Sequence, residues 1–175
     1  MAATEFITDR EIYERVILDA VPRAEEFLWI ATADIKDLYV AGGGRMRPFL
    51  EVLSNLIEDG VLVRLVHAKE PGPAFREDFD RYPNLIEGLD RLLCPRVHFK
   101  SVIVDGEFAY TGSANLTGAG MGAKGDHRRN FEAGIITTDP DLVARIMRQF
   151  DELWMGVHCP ECQRKEFCPE RDVMQ

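Results

Sequence analysis

Apolar residues recur along this chain at spacings that switch between helical and extended. Ile12, Val16, Ile17 and Ala20 fall at helical intervals behind Thr8-Asp9-Arg10-Glu11, a capping-box order, so the pattern predicts a helix over about residues 9–24. Phe27 to Thr32 (FLWIAT) is a short apolar run of the kind that forms a buried strand. Ile35 to Val40 reads as a second extended piece or an irregular lead into Gly42-Gly43-Gly44, a flexible connector. Pro48 then opens a helix whose stripe is Phe49, Leu50, Leu53, Leu56 and Ile57, with Gly60 as its stop. Val61 to Val66 (VLVRLV) predicts a strand, Ala68 to Ala74 a loop, and Leu85, Leu89, Leu92 and Leu93 a helix over Asn84 to Leu93. Val97 to Val104 and Glu107 to Thr111 predict two strands joined by an Asp105-Gly106 hairpin turn. A glycine-rich loop, Gly118 to Gly125, leads to a strand over Phe131 to Thr137. Asp139 opens a last helix with Leu142, Val143, Ile146, Met147, Phe150 and Trp154 inward. Helices alternating with strands, plus one hairpin, predict an α/β fold with a mixed β-sheet flanked by helices on both faces.

The hairpin carries the chemistry. Residues 98–115 read HFKSVIVDGEFAYTGSAN: His-x-Lys, four residues, Asp, six residues, then Gly-Ser-x-Asn. Six specified residues at fixed spacing arise by chance in roughly one chain of this length in several hundred thousand, with each type drawn at about 5%. Residues two apart in a strand share a face, so His98 and Lys100 point one way and Phe99, Ser101 and Ile103 the other. The antiparallel return then brings Gly112-Ser113-Ala114-Asn115 beside them. The residue types suit attack on an anionic phosphodiester. Neutral imidazole of His98 can form a bond to phosphorus, the Lys100 cation can hold a nonbridging oxygen, and Asn115 and Ser113 can donate to the same oxygens. Asp105, at the turn, is expected to bind local backbone or to orient the site.

This pattern resembles the signature of the phospholipase D superfamily at every specified position: His98, Lys100, Asp105, Gly112, Ser113 and Asn115. The resemblance implies a phospholipase D-like α-β-α sandwich over residues 1–156 and catalysis through a covalent phosphohistidine without a metal. It also implies a downstream Glu on a neighbouring strand that orients the histidine, and Asn130-Phe131-Glu132 looks like its counterpart. The mechanism needs a second group to protonate the leaving oxygen and later activate water. Superfamily members with two motifs build one site at their interface. This chain has one motif, and His67, His127 and His158 lack the Lys and Asp context. A symmetric homodimer sharing one active site is therefore expected, with His98 of each chain at the two-fold axis. His67 could line the pocket mouth beside Lys69. The preferred reading is a structural histidine at a strand end.

Charge bears on the substrate. With 30 acidic against 21 basic residues, the net charge of -9 gives no global attraction to phosphate-rich polymers. The segment Lys124-Gly125-Asp126-His127-Arg128-Arg129 is nevertheless basic and falls between the motif and Glu132. Gly112, Lys124, Arg128 and Arg129 are the expected substrate-binding residues, and Arg91 and Arg96 are candidates for the same rim. A solvated surface loop is the alternative for the basic segment. One motif per chain resembles the bacterial endonucleases of the superfamily and the mitochondrial Zucchini-type enzymes, which favours nucleic acid as substrate. No evident aromatic stacking platform accompanies it. A phospholipase D acting on phospholipid headgroups is the rival, although no amphipathic helix with a basic face is visible. A catalytically silent phosphate-binding or assembly module is the third reading. No transmembrane segment or signal peptide is apparent, and a cytoplasmic protein is expected.

Four cysteines remain. Cys159-Pro160-Glu161-Cys162 has metal-knuckle spacing and Cys168 follows six positions on. Residues 157–175 are expected to form a Cys-rich metal-binding tail packed on the catalytic domain. The fourth ligand would be Cys94 or His158. Cys94 is preferred, because adjacent residues such as His158 and Cys159 aim poorly at one ion. The expected metal is a structural Zn, with an iron–sulfur cluster as the alternative. Free thiols or a disulfide would be the bland outcome.

Overall fold

The computed structural model describes residues 3–36 and 38–170. The last five positions of the expected Cys-rich tail, 171–175, lie outside the described residues.

The chain opens with strand β1 (Thr4–Thr8). The first helix, α1, starts as an α-helix over Arg10–Ile12, continues as a π-helix over Tyr13–Ala20 and closes in a 3-10 turn over Val21–Arg23. Its entry uses half of the expected capping box: the Glu11 carboxylate accepts the Thr8 amide at 2.9 Å. Next come β2 (Phe27–Thr32), a small hairpin of β3 (Tyr39–Gly42) and β4 (Arg45–Pro48), and α2 (Phe49–Glu58). They are followed by β5 (Leu62–His67), α3 (Pro73–Phe79), α4 (Asn84–Gly88) and β6 (Leu89–Leu93). The hairpin strands are β7 (Lys100–Val104) and β8 (Phe108–Gly112), and β9 (Ala133–Thr137) and α5 (Pro140–Trp154) complete the fold. Asp139 caps α5 by accepting the Leu142 amide at 3.0 Å.

Seven strands form one sheet in the order β1-β9-β8-β7-β2-β5-β6. β2, β5 and β6 are parallel; the β1–β9, β9–β8, β8–β7 and β7–β2 pairs are antiparallel. The sheet is thus mixed, as the hairpin required. Side-chain alternation splits the core in two. Leu28, Ile30, Leu65, Val102 and Tyr110 join α1, α2 and α4 on one face. Ala31, Val66, Ile103 and Ala109 join Val143, Ile146 and Phe150 of α5 on the other. Helices cover both faces of the sheet, in agreement with the expected α/β sandwich.

Several elements differ from expectation. The Gly42-Gly43-Gly44 connector is built into a hairpin, with Gly42 paired in β3 and Gly43 and Gly44 at φ +60 and +77 in its turn. The helix expected over Asn84 to Leu93 stops at Gly88, and Leu89–Leu93 is a parallel edge strand against β5. A Cβ on Gly88 would lie 2.3 Å from Ile57 Cγ2, so any larger residue there would force Ile57 of α2 to shift. The loop expected from Ala68 to Ala74 runs into α3, which opens at Pro73. The first strand of the motif hairpin begins at Lys100, which leaves His98 and Phe99 in the segment ahead of it.

Candidate active site

One end of the sheet gathers the motif. The parallel strands β2, β5 and β6 finish there at Thr32, His67 and Leu93, with Thr32 opposite His67 and His67 opposite Leu93. At the same end β7 begins with Lys100, opposite Gly112, the last residue of β8. Gly112 in turn faces Gly134 of β9. Residues distant in sequence meet here because pairing register fixes them, and the C-terminal edge of parallel strands is the usual place for a ligand in open α/β sheets.

His98 is exposed, whereas Lys100 is only 6% accessible. Lys100 Nζ stands 3.3 Å from His98 Nδ1 and donates to the His98 carbonyl at 2.6 Å. Burial lowers the Lys100 pKa from the usual lysine range, and the nearby Glu132 carboxylate works in the opposite direction. An ammonium only donates, so Nδ1 is the acceptor in this arrangement and Nε2 carries the imidazole hydrogen.

Asn115 is half-buried and its orientation is set by backbone. Its Oδ1 accepts the Ala33 and Asp34 amides at 3.2 and 3.1 Å and the Thr32 hydroxyl at 3.4 Å. The Nδ2 hydrogens are left for another acceptor at the mouth of the site. Ser113 is exposed and donates its hydroxyl to Glu132 Oε2, while Ala133 N–H donates to Ser113 Oγ at 3.1 Å. Glu132 also receives Asn130 Nδ2 at 3.0 Å, and its amide donates to Asp9 Oδ1 at 2.9 Å. The expected orienting bond from His98 to Glu132 is not formed. Glu132 is engaged with Ser113 and Asn130, and Lys100 stands at the ring nitrogen it would have served.

Two motif residues take no part in these contacts. Asp105 lies at the far end of β7, roughly 16 Å along the strand from Lys100 at ~3.3 Å per residue. Its carboxylate accepts the amides of Glu25, Glu26 and Phe27 at 2.9, 2.9 and 2.8 Å. It ties the hairpin to the start of β2 and does not face His98. Gly112 is a packing residue: a Cβ there would meet Tyr110 Oη at 2.4 Å and Ala133 O at 2.6 Å. The Tyr110 hydroxyl beneath it is held neutral by burial, its pKa pushed up to about 12.

In the basic segment Lys124, His127 and Arg128 are exposed. Arg129 is less available than expected, because its Nη1 pairs with Asp126 at 2.6 Å within the same loop. Phe131, expected inside a strand, precedes β9 and is 92% exposed beside Glu132. One exposed aromatic ring, which the sequence did not reveal, thus lies next to Glu132 in the chain. Its only sequence signal is an apolar residue just ahead of a buried alternating run. Arg91 and Arg96 leave the proposed rim. Arg91 is on edge strand β6 against Glu70 and His67, and Arg96 lines the cysteine pocket. His67 is buried, with Nδ1 2.7 Å from the Lys69 carbonyl, and burial lowers its pKa. It is a structural histidine at a strand end.

Cys94, Cys159, Cys162 and Cys168 line one pocket between the tail and the segment before His98. All four are free and half-buried. As they stand, no three His, Cys, Asp or Glu side chains among the described residues are grouped tightly enough to hold a metal ion. The expected coordination shell is therefore not formed, although its members share a pocket. His158 lines the same pocket, and its Nε2 lies 3.7 Å from Glu152.

Comparison with known proteins agrees with this geometry. Residues 17–154 match the family described as "Cardiolipin synthase, PLD-like domain". A mitochondrial cardiolipin hydrolase from Chlamydomonas reinhardtii is 29% identical over 105 residues, which is 59% of this chain and 44% of that protein, so the chain spans less than half of that relative. Among solved structures, the phospholipase D family member Nuc from Salmonella typhimurium superimposes with a TM-score of 0.65 at 18% identity, covering 88% of this chain and 95% of that one. NucT from Helicobacter pylori gives a TM-score of 0.65 at 14% identity, covering 87% and 95%. The intact His-Lys-Asp and Gly-Ser-x-Asn signature, the sheet that places it and the match across residues 17–154 together show that this chain belongs to the phospholipase D superfamily.

Proposed function

We propose that the chain is a homodimeric phosphodiesterase that cleaves nucleic acid through a phosphohistidine on His98. The observation that carries this reading is an exposed imidazole with a buried ammonium 3.3 Å from its ring and an Asn115 amide whose orientation is fixed by backbone. A phosphate placed over Lys100 draws the ammonium to a nonbridging oxygen, which releases Nδ1. With the hydrogen moved to Nδ1, the Nε2 lone pair attacks phosphorus, the P–N bond forms and the P–O bond to the leaving group breaks. His98 of the second protomer, protonated, delivers its proton to the leaving alkoxide. It then takes a proton from water, whose oxygen attacks phosphorus and breaks the P–N bond, so His98 is regenerated. Glu132 steadies Ser113 and offsets the Lys100 charge. A cofactor has no part in these steps.

The nucleic-acid reading rests on the loop beside Glu132. Lys124 and Arg128 are exposed cations in the loop that leads to the exposed Phe131, residue types that can hold a phosphate backbone and stack an unpaired base. A phospholipid substrate is the second reading, favoured by the cardiolipin-related family description and by the cardiolipin hydrolase relative. Among the described residues no helix is long and apolar enough to cross a membrane. Wild type and His98→Ala should be assayed in parallel on single-stranded DNA, RNA, and vesicles of cardiolipin or phosphatidylcholine. The proposal expects His98-dependent cleavage of a nucleic acid. Turnover of vesicles alone would replace it with the lipid reading. Binding of phosphodiesters without turnover would make the domain a silent recognition module.

A further inference from the structure

We infer that Cys94, Cys159, Cys162 and Cys168 form a structural zinc site that fastens the C-terminal tail to the segment bearing His98. The cysteines are separated by up to 74 positions, yet all four line one pocket and none is in a disulfide. Four thiols are a full tetrahedral donor set for zinc, which leaves no open position for a substrate. The Cys159–Cys162 stretch has the backbone of a metal knuckle. The Cys162 amide donates to the Cys159 carbonyl at 3.1 Å, and the Arg164 amide donates to Cys162 Sγ at 3.4 Å. An N–H aimed at a sulfur stabilises a thiolate and orients it, which is what a ligand's supporting shell does.

Charge supports the same assignment. A zinc ion with four thiolates carries a net charge of about −2. Arg96 and Lys165 line this pocket and supply two cations beside it. The sulfurs do not yet meet at one point, and the pocket of about 170 Å³ leaves room for them to rotate inward onto an ion. Binding is pH-dependent, because each thiol gives up a proton as its Zn–S bond forms, and it couples to local folding, because the four sulfurs converge only around the ion.

The position gives the site its purpose. Cys94 stands four residues before His98, and its amide bonds to the His67 carbonyl at 2.9 Å. Phe99 and Leu153 also line the pocket, while Lys100, next to Phe99, faces His98. The ion would thus sit behind the catalytic segment and hold it in place, without touching phosphate.

The test is metal analysis of the purified chain, with a readout independent of any activity. About one zinc per chain is expected, falling at least fivefold in Cys162→Ser and in Cys94→Ser. Should those variants fold poorly, wild type stripped with a chelator and reloaded with cobalt(II) should show thiolate-to-metal charge-transfer absorption, and its cysteines should resist a thiol reagent until the metal is removed. Overturning results are four freely reactive thiols in the native chain with less than about a tenth of an ion bound, a disulfide seen as a loss of two hydrogens in the intact mass, or iron with inorganic sulfide in place of zinc.

Discussion

Asp105 is part of the signature yet stands at the opposite end of β7 from Lys100, so its substitution should cost stability while sparing chemistry. Its carboxylate accepts three backbone amides, of which those of Glu25 and Glu26 are exposed and that of Phe27 is half-buried. A bond to a charged acceptor nets about 1.5–3 kcal/mol when shielded, and less where water can take over, so the three together are worth ~3 kcal/mol. Asp105 also sits at φ 52, a conformation that costs an alanine a further ~1 kcal/mol and costs glycine nothing. Asp105→Ala should therefore lose ~4 kcal/mol and Asp105→Gly ~3 kcal/mol. Asp105→Asn keeps Oδ1 for Glu26 and Phe27 but turns an NH2 group toward the Glu25 amide, and should lose ~2 kcal/mol. Urea unfolding followed by the fluorescence of Trp29 in β2 and Trp154 in α5 reads these differences. Turnover of a chromogenic phosphodiester by the folded fraction of Asp105→Asn should stay within about threefold of wild type. The reasoning is refuted if Asp105→Asn unfolds like wild type while its turnover drops a hundredfold, because Asp105 would then act on the reaction and not on the hairpin.

Gly112→Ala places a Cβ 2.4 Å from Tyr110 Oη and 2.6 Å from Ala133 O, so it should lose ~3 kcal/mol. Tyr110→Phe in the same chain should return only part of that by urea titration, since the backbone clash persists. His67 has a pKa lowered below its ordinary 6.5 by burial, so below about pH 6.5 the unfolded chain takes up a proton that the folded chain refuses. Unfolding free energy should therefore fall as pH drops below 6.5, by at most ~1.4 kcal/mol per pH unit from this group, and the fall between pH 6.5 and 5.5 should be shallower in His67→Gln. Phe131→Ala should raise KM for single-stranded substrate about tenfold with kcat little changed, matching a loss of 1–3 kcal/mol of stacking. Arg128→Ala should instead weaken binding to every sequence alike and flatten its salt dependence, measured by titration between 50 and 200 mM salt.

Much of the site was legible because it is local. Lys100 and Gly112 pair across one hairpin whose register the Asp105-Gly106 turn sets, and His98, Ser113 and Asn115 lie within three residues of its open end, so spacing alone places them at one end of the sheet. Strands β2 and β5 and helix α5 were legible from apolar patterns that matched their burial. What escaped depends on pairing across the fold. β1 is an edge strand exposed at Thr4, Glu5 and Phe6, with no alternating pattern to mark it. Leu85, Leu89, Leu92 and Leu93 fit a helical stripe, and only the packing of Gly88 on Ile57 and the pairing with β5 turn the second half into a strand. The Glu132 interactions escaped too. The sequence suggested a carboxylate near His98, but not that Ser113 and Asn130 would hold it while Lys100 took the ring nitrogen. The cysteines were legible as a set, and their shared pocket could be seen only when Cys94 and the tail were brought together.

The central claim, that the His98 imidazole bonds to phosphorus, is tested most directly by alkaline quenching during turnover, which preserves P–N bonds, followed by peptide mass mapping. The account predicts a transient phosphoryl adduct on His98 of wild type, and neither adduct nor turnover in His98→Ala. Turnover by wild type with an adduct on another residue, or sustained turnover by His98→Ala, would contradict it.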